Sequence, residues 1–134
     1  ELARQAAAAD VRILVTSSPA ASALAGAVRD VELYRIAQEA ISNALKHARC
    51  RQIDVSLAVR GSLLELLIRD DGAGYDISSL EQAAGIGLQT MRFRAARAGG
   101  ALDVRSRPGH GTTVLVRVPL HATASVPVAA TSGS

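Results

Sequence analysis

Apolar and polar positions alternate along this chain with two periods, and the changes of period mark its elements. "ELARQAAAA" is alanine-rich and predicts a helix, while "DVRILVTSS" places Val11, Ile13 and Val15 at every second position and predicts a strand. "PAASALAGA" reads as a connection. From Asp30, an N-cap type with Glu32 close behind, "VELYRIAQEAISNALKHA" carries the helical period. At about 100° per residue, Leu33, Ile36, Ala37, Ala40, Ile41, Ala44, Leu45 and Ala48 form one apolar stripe. "RQIDVSLAVR" then alternates strictly, with Ile53, Val55, Leu57 and Val59 on one face, and Gly61-Ser62 turns it into "LLELLIRD" as a hairpin. Residues 71–87 hold four of the 11 glycines and read as a loop long enough to point to function. "LQTMRFRAARAGG" predicts a helix starting near Leu88 and stopping at Gly99-Gly100. Two strands, "ALDVRSR" and "TTVLVRVPL", follow around the turn "PGHG". From His121 the chain is Ala, Thr, Ser, Pro and Gly, so the reading is one domain over residues 1–120 and a disordered tail over 121–134.

Composition narrows this picture. With 134 residues, 49% of them hydrophobic, the chain suits one core, and with only 2% aromatics and no Trp that core must come from Leu, Ile, Val and Ala. A formal charge of +3, from 15 Lys+Arg against 12 Asp+Glu, favours anionic ligands without calling for nucleic acid. So few aromatics also leave no stacking platform for a single strand. No apolar run approaches the roughly 20 residues of a membrane helix, and the start is unlike a signal peptide, so a soluble domain is expected, cytoplasmic even if the parent protein is membrane-anchored. The single cysteine, Cys50, forms no intrachain disulfide and fits a reducing compartment. Its neighbours Arg49 and Arg51 would lower a reactive thiol's pKa, but an inert packed cysteine is the simpler account.

Candidate chemistry gathers at two places. On the long helix Arg35, Gln38 and Ser42 fall on one flank of the stripe, and Glu39, Asn43, Lys46 and His47 on the other. A carboxylate, an amide, a cation and an imidazole on one edge suit a water, a metal and phosphate oxygens; a solvated face with i,i+4 pairing explains them equally well. In "LLELLIRD", Leu64, Leu66, Ile68 and Asp70 point to one side, so Asp70 continues the core-facing row and Asp71 is left as a solvent or turn residue. Thr112 shares its face with Val114, Val116 and Val118 in the last strand. If the two strands are neighbours, Asp70 and Thr112 meet at the floor of one pocket, where a carboxylate accepts from an exocyclic amine such as adenine's. Gly72 and Gly74 let a flat ring approach the main chain, and Gly85 and Gly87 open onto the helix near Leu88 as a phosphate site. A plain turn and a plain N-cap explain either glycine pair alone.

Other chemistries lack support. His110 and His121 do not form a zinc pattern, and Ser17, Ser18 and Ser42 have no nucleophile-elbow context. Arg92, Arg94 and Arg97 read as a solvated helix face more simply than as a phosphate or acidic-partner site. "GIGL" is neither a Walker loop nor a dinucleotide fingerprint.

Together these residues resemble the ATP-binding catalytic domain of bacterial two-component sensor histidine kinases, in the gyrase, Hsp90, histidine kinase and MutL superfamily. The subtype resembled is that of sensors paired with NarL-type response regulators. "RIAQEAISNALKHA" looks like the N box, "DDGAG" and "GIGL" the two glycine boxes, and "GHGTTV" the terminal Gly-Thr segment. The resemblance implies a Bergerat-type α/β two-layer sandwich, a mixed, mainly antiparallel sheet with helices on one face. It implies that Asn43 coordinates Mg²⁺ between ATP phosphates and that Glu39 orients or deprotonates the attacking group. Lys46 and His47 would reach phosphate oxygens, Asp70 would accept from the adenine amine, and Thr112 would support that edge directly or through water. Gly72, Gly74, Gly85 and Gly87, with Leu88 after them, would border a short ATP lid. The phosphoacceptor histidine of such kinases lies on a dimerization domain in a context resembling "ELHD", which His47, His110 and His121 do not match. The expectation is therefore a monomeric catalytic fragment acting on that domain, with no nucleic-acid partner. An anti-sigma-factor-type serine kinase and a non-enzymatic ATP-binding regulatory module are the alternatives; gyrase and MutL types expect longer lids and a transducer domain.

Overall fold

The computed structural model describes residues 2–19 and 27–120. Helix α1 (Leu2–Ala9) and strand β1 (Arg12–Ser17) are followed by helix α2 (Ala27–Asn43), which continues as a π-helical turn (Ala44–Ala48). Strands β2 (Gln52–Arg60) and β3 (Leu63–Asp70) precede helix α3 (Ile77–Arg97), and β4 (Ala101–Ser106) and β5 (Thr112–Pro119) complete the fold. Residues 20–26 of the expected connection and 121–134 of the expected tail lie outside the described residues.

The five strands form one mixed sheet in the order β1-β2-β3-β5-β4. β1 runs parallel to β2 and the other pairs are antiparallel. A parallel neighbour requires a crossover, and α2 supplies it, packing its apolar stripe on the sheet. The alternation expected for β2 and β3 holds: Ile53, Val55, Leu64, Leu66 and Ile68 are buried beneath Leu33, Ile36, Ala40 and Ile41 of α2 and Leu88, Met91 and Ala95 of α3. Ile36, Ile53 and Val116 are the largest fully buried side chains, each worth about 1.5–3 kcal/mol of burial. Met91 and Cys50 join Leu, Ile, Val and Ala in this core. No helix among the described residues is long and apolar enough to cross a membrane.

Three expectations are corrected. Asp30 does not cap α2, because the helix already includes Ala27–Arg29 and Asp30 lies in its first turn. Residues 77–87 are helix rather than loop: α3 starts at Ile77, so Gly85 and Gly87 are helix-interior and Leu88 is far from the helix start. The intervening Leu80, Glu81, Gln82, Ala83 and Ala84 are good helix formers, which offsets a cost of about 1 kcal/mol for each glycine. Arg94 and Arg97 are not simply a solvated face. Both reach Glu32 of α2, Arg94 Nη1 donating at 2.9 Å and Arg97 Nε at 2.5 Å. Arg97 also lies 5.8 Å from the Phe93 ring centroid.

Glu32 is only 4% exposed, and the hydrogen bonds from Arg97 and then Arg94 hold its carboxyl below its ordinary 4.5. A lowered folded-state pKa contributes stability above the ordinary value, lost as pH falls through the folded one. Glu32→Gln is therefore expected to lower the melting temperature at pH 7 and to melt like wild type in acid below that folded pKa. Circular-dichroism melts across pH check this; an equal deficit at every pH would contradict the ion-pair account.

Candidate functional site

The topology carries two distant segments to one end of the sheet. Only Arg49–Arg51 separate the π turn from β2, so the C-terminal end of α2 sits beside the start of β2. Antiparallel pairing sets Ile53 opposite Asp70, bringing the end of β3 to the same place. Across the next ladder Asp70 faces Thr112, and Thr112 faces Ser106, so these three polar residues form one row over β3, β5 and β4. Asn43, Asp70, Tyr75, Leu88, Met91 and Thr112 line a mainly apolar cavity of about 40 Å³, completed by core side chains of α2 and the strands. The predicted convergence of Asp70 and Thr112 is thus met, and Asn43 and Leu88 join them.

Asp70 and Asp71 have opposite environments, as the strand pleat requires. Asp70 is 8% exposed and its Oδ1 accepts from the Gly72 amide at 2.9 Å. Burial pushes its carboxyl above the ordinary 3.8, against the lowering effect of the Gly72 and Thr112 amides, and the charge of Asp71 adds to the rise. Asp71 is exposed but more than a turn residue: its Oδ1 accepts from the amides of Arg51 at 2.8 Å and Gln52 at 3.1 Å. Those two bonds hold its carboxyl below the usual range and tie the end of β3 to the start of β2.

The loop after Asp70 is clasped to the β4–β5 turn. The Gly109 amide donates to the Ala73 carbonyl at 2.6 Å, and the Tyr75 amide donates to Ser106 Oγ at 2.7 Å. Gly74 has φ +70°, and a Cβ there would overlap the Arg107 carbonyl oxygen. Gly111, at φ +72°, meets the Asp70 carbonyl oxygen in the same way. Gly72 is buried, and its amide is the donor Asp70 needs.

Glu39 lies one turn before Asn43 on the same helix edge, beneath α3. It lines a neighbouring groove of about 350 Å³ with Gln5, Arg35, Gln38, Ser42 and Arg94, and it lies close to the α3 backbone at Gly87. A Cβ on Gly87 would lie 2.6 Å from Glu39 Oε2. Asn43, one turn on, ends the α-helical part of α2 where the π turn begins, a widening frequent at functional sites. Lys46 is exposed on that turn, and the side chain of His47 lies outside the described residues. Gly85, inside α3, does not stand at a helix N-terminus.

Cys50 proves to be the packed kind. It is buried, its Sγ is 3.8 Å from the Ala44 carbonyl oxygen, and burial, then the charges of Asp70 and Asp71, pushes the thiol up. Sequence reasoning missed Tyr75 and Ser106. Ser106 had a usable signal, since it sits at the end of β4 as Asp70 ends β3, but its strand's exposed–half-buried alternation is weak. Among the described residues no three His, Cys, Asp or Glu side chains cluster to hold a metal.

Two expectations follow. Gly61 has φ +61° in open space, so Gly61→Ala should cost about 1–2 kcal/mol of left-handed strain. Gly74→Ala adds backbone overlap and should cost clearly more in urea unfolding; equal costs would contradict the clasp. Asp70, with its raised pKa, contributes stability below the ordinary 3.8 that is lost as pH rises through the folded value. Asp70→Asn keeps an acceptor for Gly72, so it should melt no lower than wild type at pH 7 and lose ground as pH falls. A lower melting temperature at pH 7 would refute this.

Comparison with known proteins gives the same picture. The family model described as "Histidine kinase-, DNA gyrase B-, and HSP90-like ATPase" matches residues 29–122. The sensor histidine kinase LiaS of Bacillus subtilis (strain 168) is 36% identical over 99 residues, covering 74% of this chain and 27% of LiaS. The signal transduction histidine-protein kinase/phosphatase DegS of the same organism is 36% identical over 93 residues, 68% of this chain and 24% of DegS. The chain thus spans about a quarter of these relatives. In fold it is similar to the histidine kinase domain of the Erythrobacter litoralis EL346 blue-light activated histidine kinase. There the TM-score is 0.74 at 19% identity, over 90% of this chain and 58% of that one. Full-length ShkA, solved in complex with AMPPNP, gives a TM-score of 0.72 at 22% identity, over 88% of this chain and 27% of that one. With the motifs in sequence, the sheet order and the family match in agreement, the chain belongs to the histidine kinase-, DNA gyrase B- and HSP90-like ATPase family.

Proposed function

We propose that this chain is the Mg-ATP-binding catalytic domain of a sensor histidine kinase. It donates the γ-phosphoryl of ATP to a histidine on a helical dimerization domain, for relay to a response regulator of the NarL type in the cytoplasm. One observation carries the reading: Asp70 is an inward carboxylate at the floor of an apolar cavity beside Thr112, an arrangement that costs stability unless a donor ligand uses it. The exocyclic amine of adenine is such a donor. The names of the relatives, sensor histidine kinases among them, support the choice of phosphoacceptor.

In this reading Asp70 and Thr112 hold the adenine edge, Gly72 and Gly74 bring the main chain to the ring, and Tyr75 and Leu88 form its walls. A cavity of about 40 Å³ is well under the ~300 Å³ of a ligand site, so the Tyr75 loop and the first turns of α3 must move outward to admit the base. Gly85 and Gly87, each costing about 1 kcal/mol of helix propensity, border that part of α3, which serves as the lid. Lys46 and His47, on the turn after Asn43, serve the phosphates. The donor set suits Mg²⁺: Asn43 offers one neutral carboxamide oxygen, and this ion commonly takes few protein ligands and completes its shell with phosphates and water. When bound it neutralises charge on the phosphate oxygens. Glu39, facing its own groove, orients or takes the proton of an acceptor imidazole that a partner helix delivers from that side.

Calorimetry tests the site. Asp70→Asn is expected to abolish ATP binding, whereas Asn43→Ala keeps adenosine binding and loses the Mg²⁺-dependent gain for ATP. Wild-type ATP binding by Asp70→Asn would sink the pocket assignment. Labelled ATP with a supplied dimerization domain tests the reaction: acid-labile phosphohistidine is expected, and an acid-stable phosphoserine on a partner would favour the anti-sigma-factor type.

A further inference from the structure

Glu32, Asp70 and Ser106 are the buried polar or charged residues among those described, and the reading above uses no function for Ser106. Its Oγ has three neighbours: the Tyr75 amide nitrogen at 2.7 Å, the Gly111 carbonyl oxygen at 3.1 Å and Thr112 Oγ1 at 2.8 Å. A serine hydroxyl has one proton and two lone pairs. The Tyr75 amide can only donate and the Gly111 carbonyl can only accept. All three bonds coexist in a single arrangement, in which Ser106 donates to Gly111 and accepts from both Tyr75 and Thr112. The Thr112 proton is thereby committed to Ser106, and what Thr112 Oγ1 offers the cavity is lone pairs.

We infer that Ser106 is a positioning residue for base specificity: by fixing the Thr112 hydroxyl as an acceptor, it makes the cavity floor accept-only and selects 6-amino over 6-oxo purines. The inference rests on the reading of this cavity as the base site. Asp70, the register neighbour of Thr112, supplies the second acceptor. An amine with two N–H groups satisfies both. A 6-oxo purine instead sets its carbonyl oxygen against oxygen lone pairs, and its single N1–H pairs with at most one of the two acceptors, leaving the other unpaired. Without Ser106 Oγ, the Thr112 hydroxyl is released to rotate and donate, and the penalty on the 6-oxo group falls.

The test compares affinity for Mg-ATP and Mg-ITP, nucleotides that differ at the 6-position edge. Ser106→Ala is expected to narrow the ATP preference by about tenfold, the worth of one hydrogen bond. In a Thr112→Val background, where no hydroxyl is left to orient, Ser106→Ala is expected to leave the ratio unmoved. Should Ser106→Ala fail to fold, Ser106→Cys, whose thiol is only a weak acceptor, carries the test against the same Thr112→Val background, and an ATP-to-ITP ratio unchanged from wild type would overturn the inference. Equal loss of ATP and ITP affinity with the ratio preserved would overturn the inference, since that is what a structural loss of the Tyr75 bond gives. Wild-type protein that binds both nucleotides equally well would overturn the base-site reading, and the inference with it.

Discussion

An ionisable carboxyl that ends an apolar row must be supplied with donors, and the site end of this molecule is arranged around that requirement at Asp70. Its nearest donor is the amide two residues on, which is available because the chain turns at Gly72 instead of extending the strand. That turn lays the following residues against the β4–β5 turn, so closely that Gly74 and Gly111 have no room for a side chain. Ser106 then joins the loop amide, the turn carbonyl and the Thr112 hydroxyl at one oxygen. Backbone groups therefore hold the carboxylate on one side, and the cavity is left on the other.

What faces Asp70 across that cavity depends on the crossover. Because β1 and β2 are parallel, α2 must return along the sheet, and its C-terminal end arrives beside the strand end that carries the acid. Asn43 lies there, with the π turn following it. Glu39, four positions earlier, is under α3 instead, where Gly87 leaves space for its carboxylate. One helix edge thus serves Asn43 at the apolar cavity and Glu39 beneath α3, with Met91 lining both hollows. The same helix pair is also joined by Glu32 and the two arginines, which tie α2 to the last turns of α3.

Much of this was legible in the chain, because side-chain direction in a strand is a local property of the pleat. Alternation alone separated Asp70 from Asp71, put Thr112 on the inward face of β5 and located the Gly61-Ser62 hairpin. The same rule did not supply the two amide bonds of Asp71, whose donors are some twenty residues away. Nor did it reveal the internal partner of Arg94 and Arg97, since Glu32 stands 62 and 65 residues earlier.

Local pattern along the chain set the elements with a clean period, the aromatic-poor composition of the core and the motif order that the family shares, since each is encoded within a few neighbouring residues. Tertiary structure decided the rest. It extended α3 back through Gly85 and Gly87 to Ile77, although glycine is a poor helix former, and it widened "ALKHA" into a π turn with no glycine or proline to announce it. It also set Glu39 against Gly87 and turned Ser106 inward. In each case the deciding neighbour comes from another element, and no period along the chain records which element will pack there.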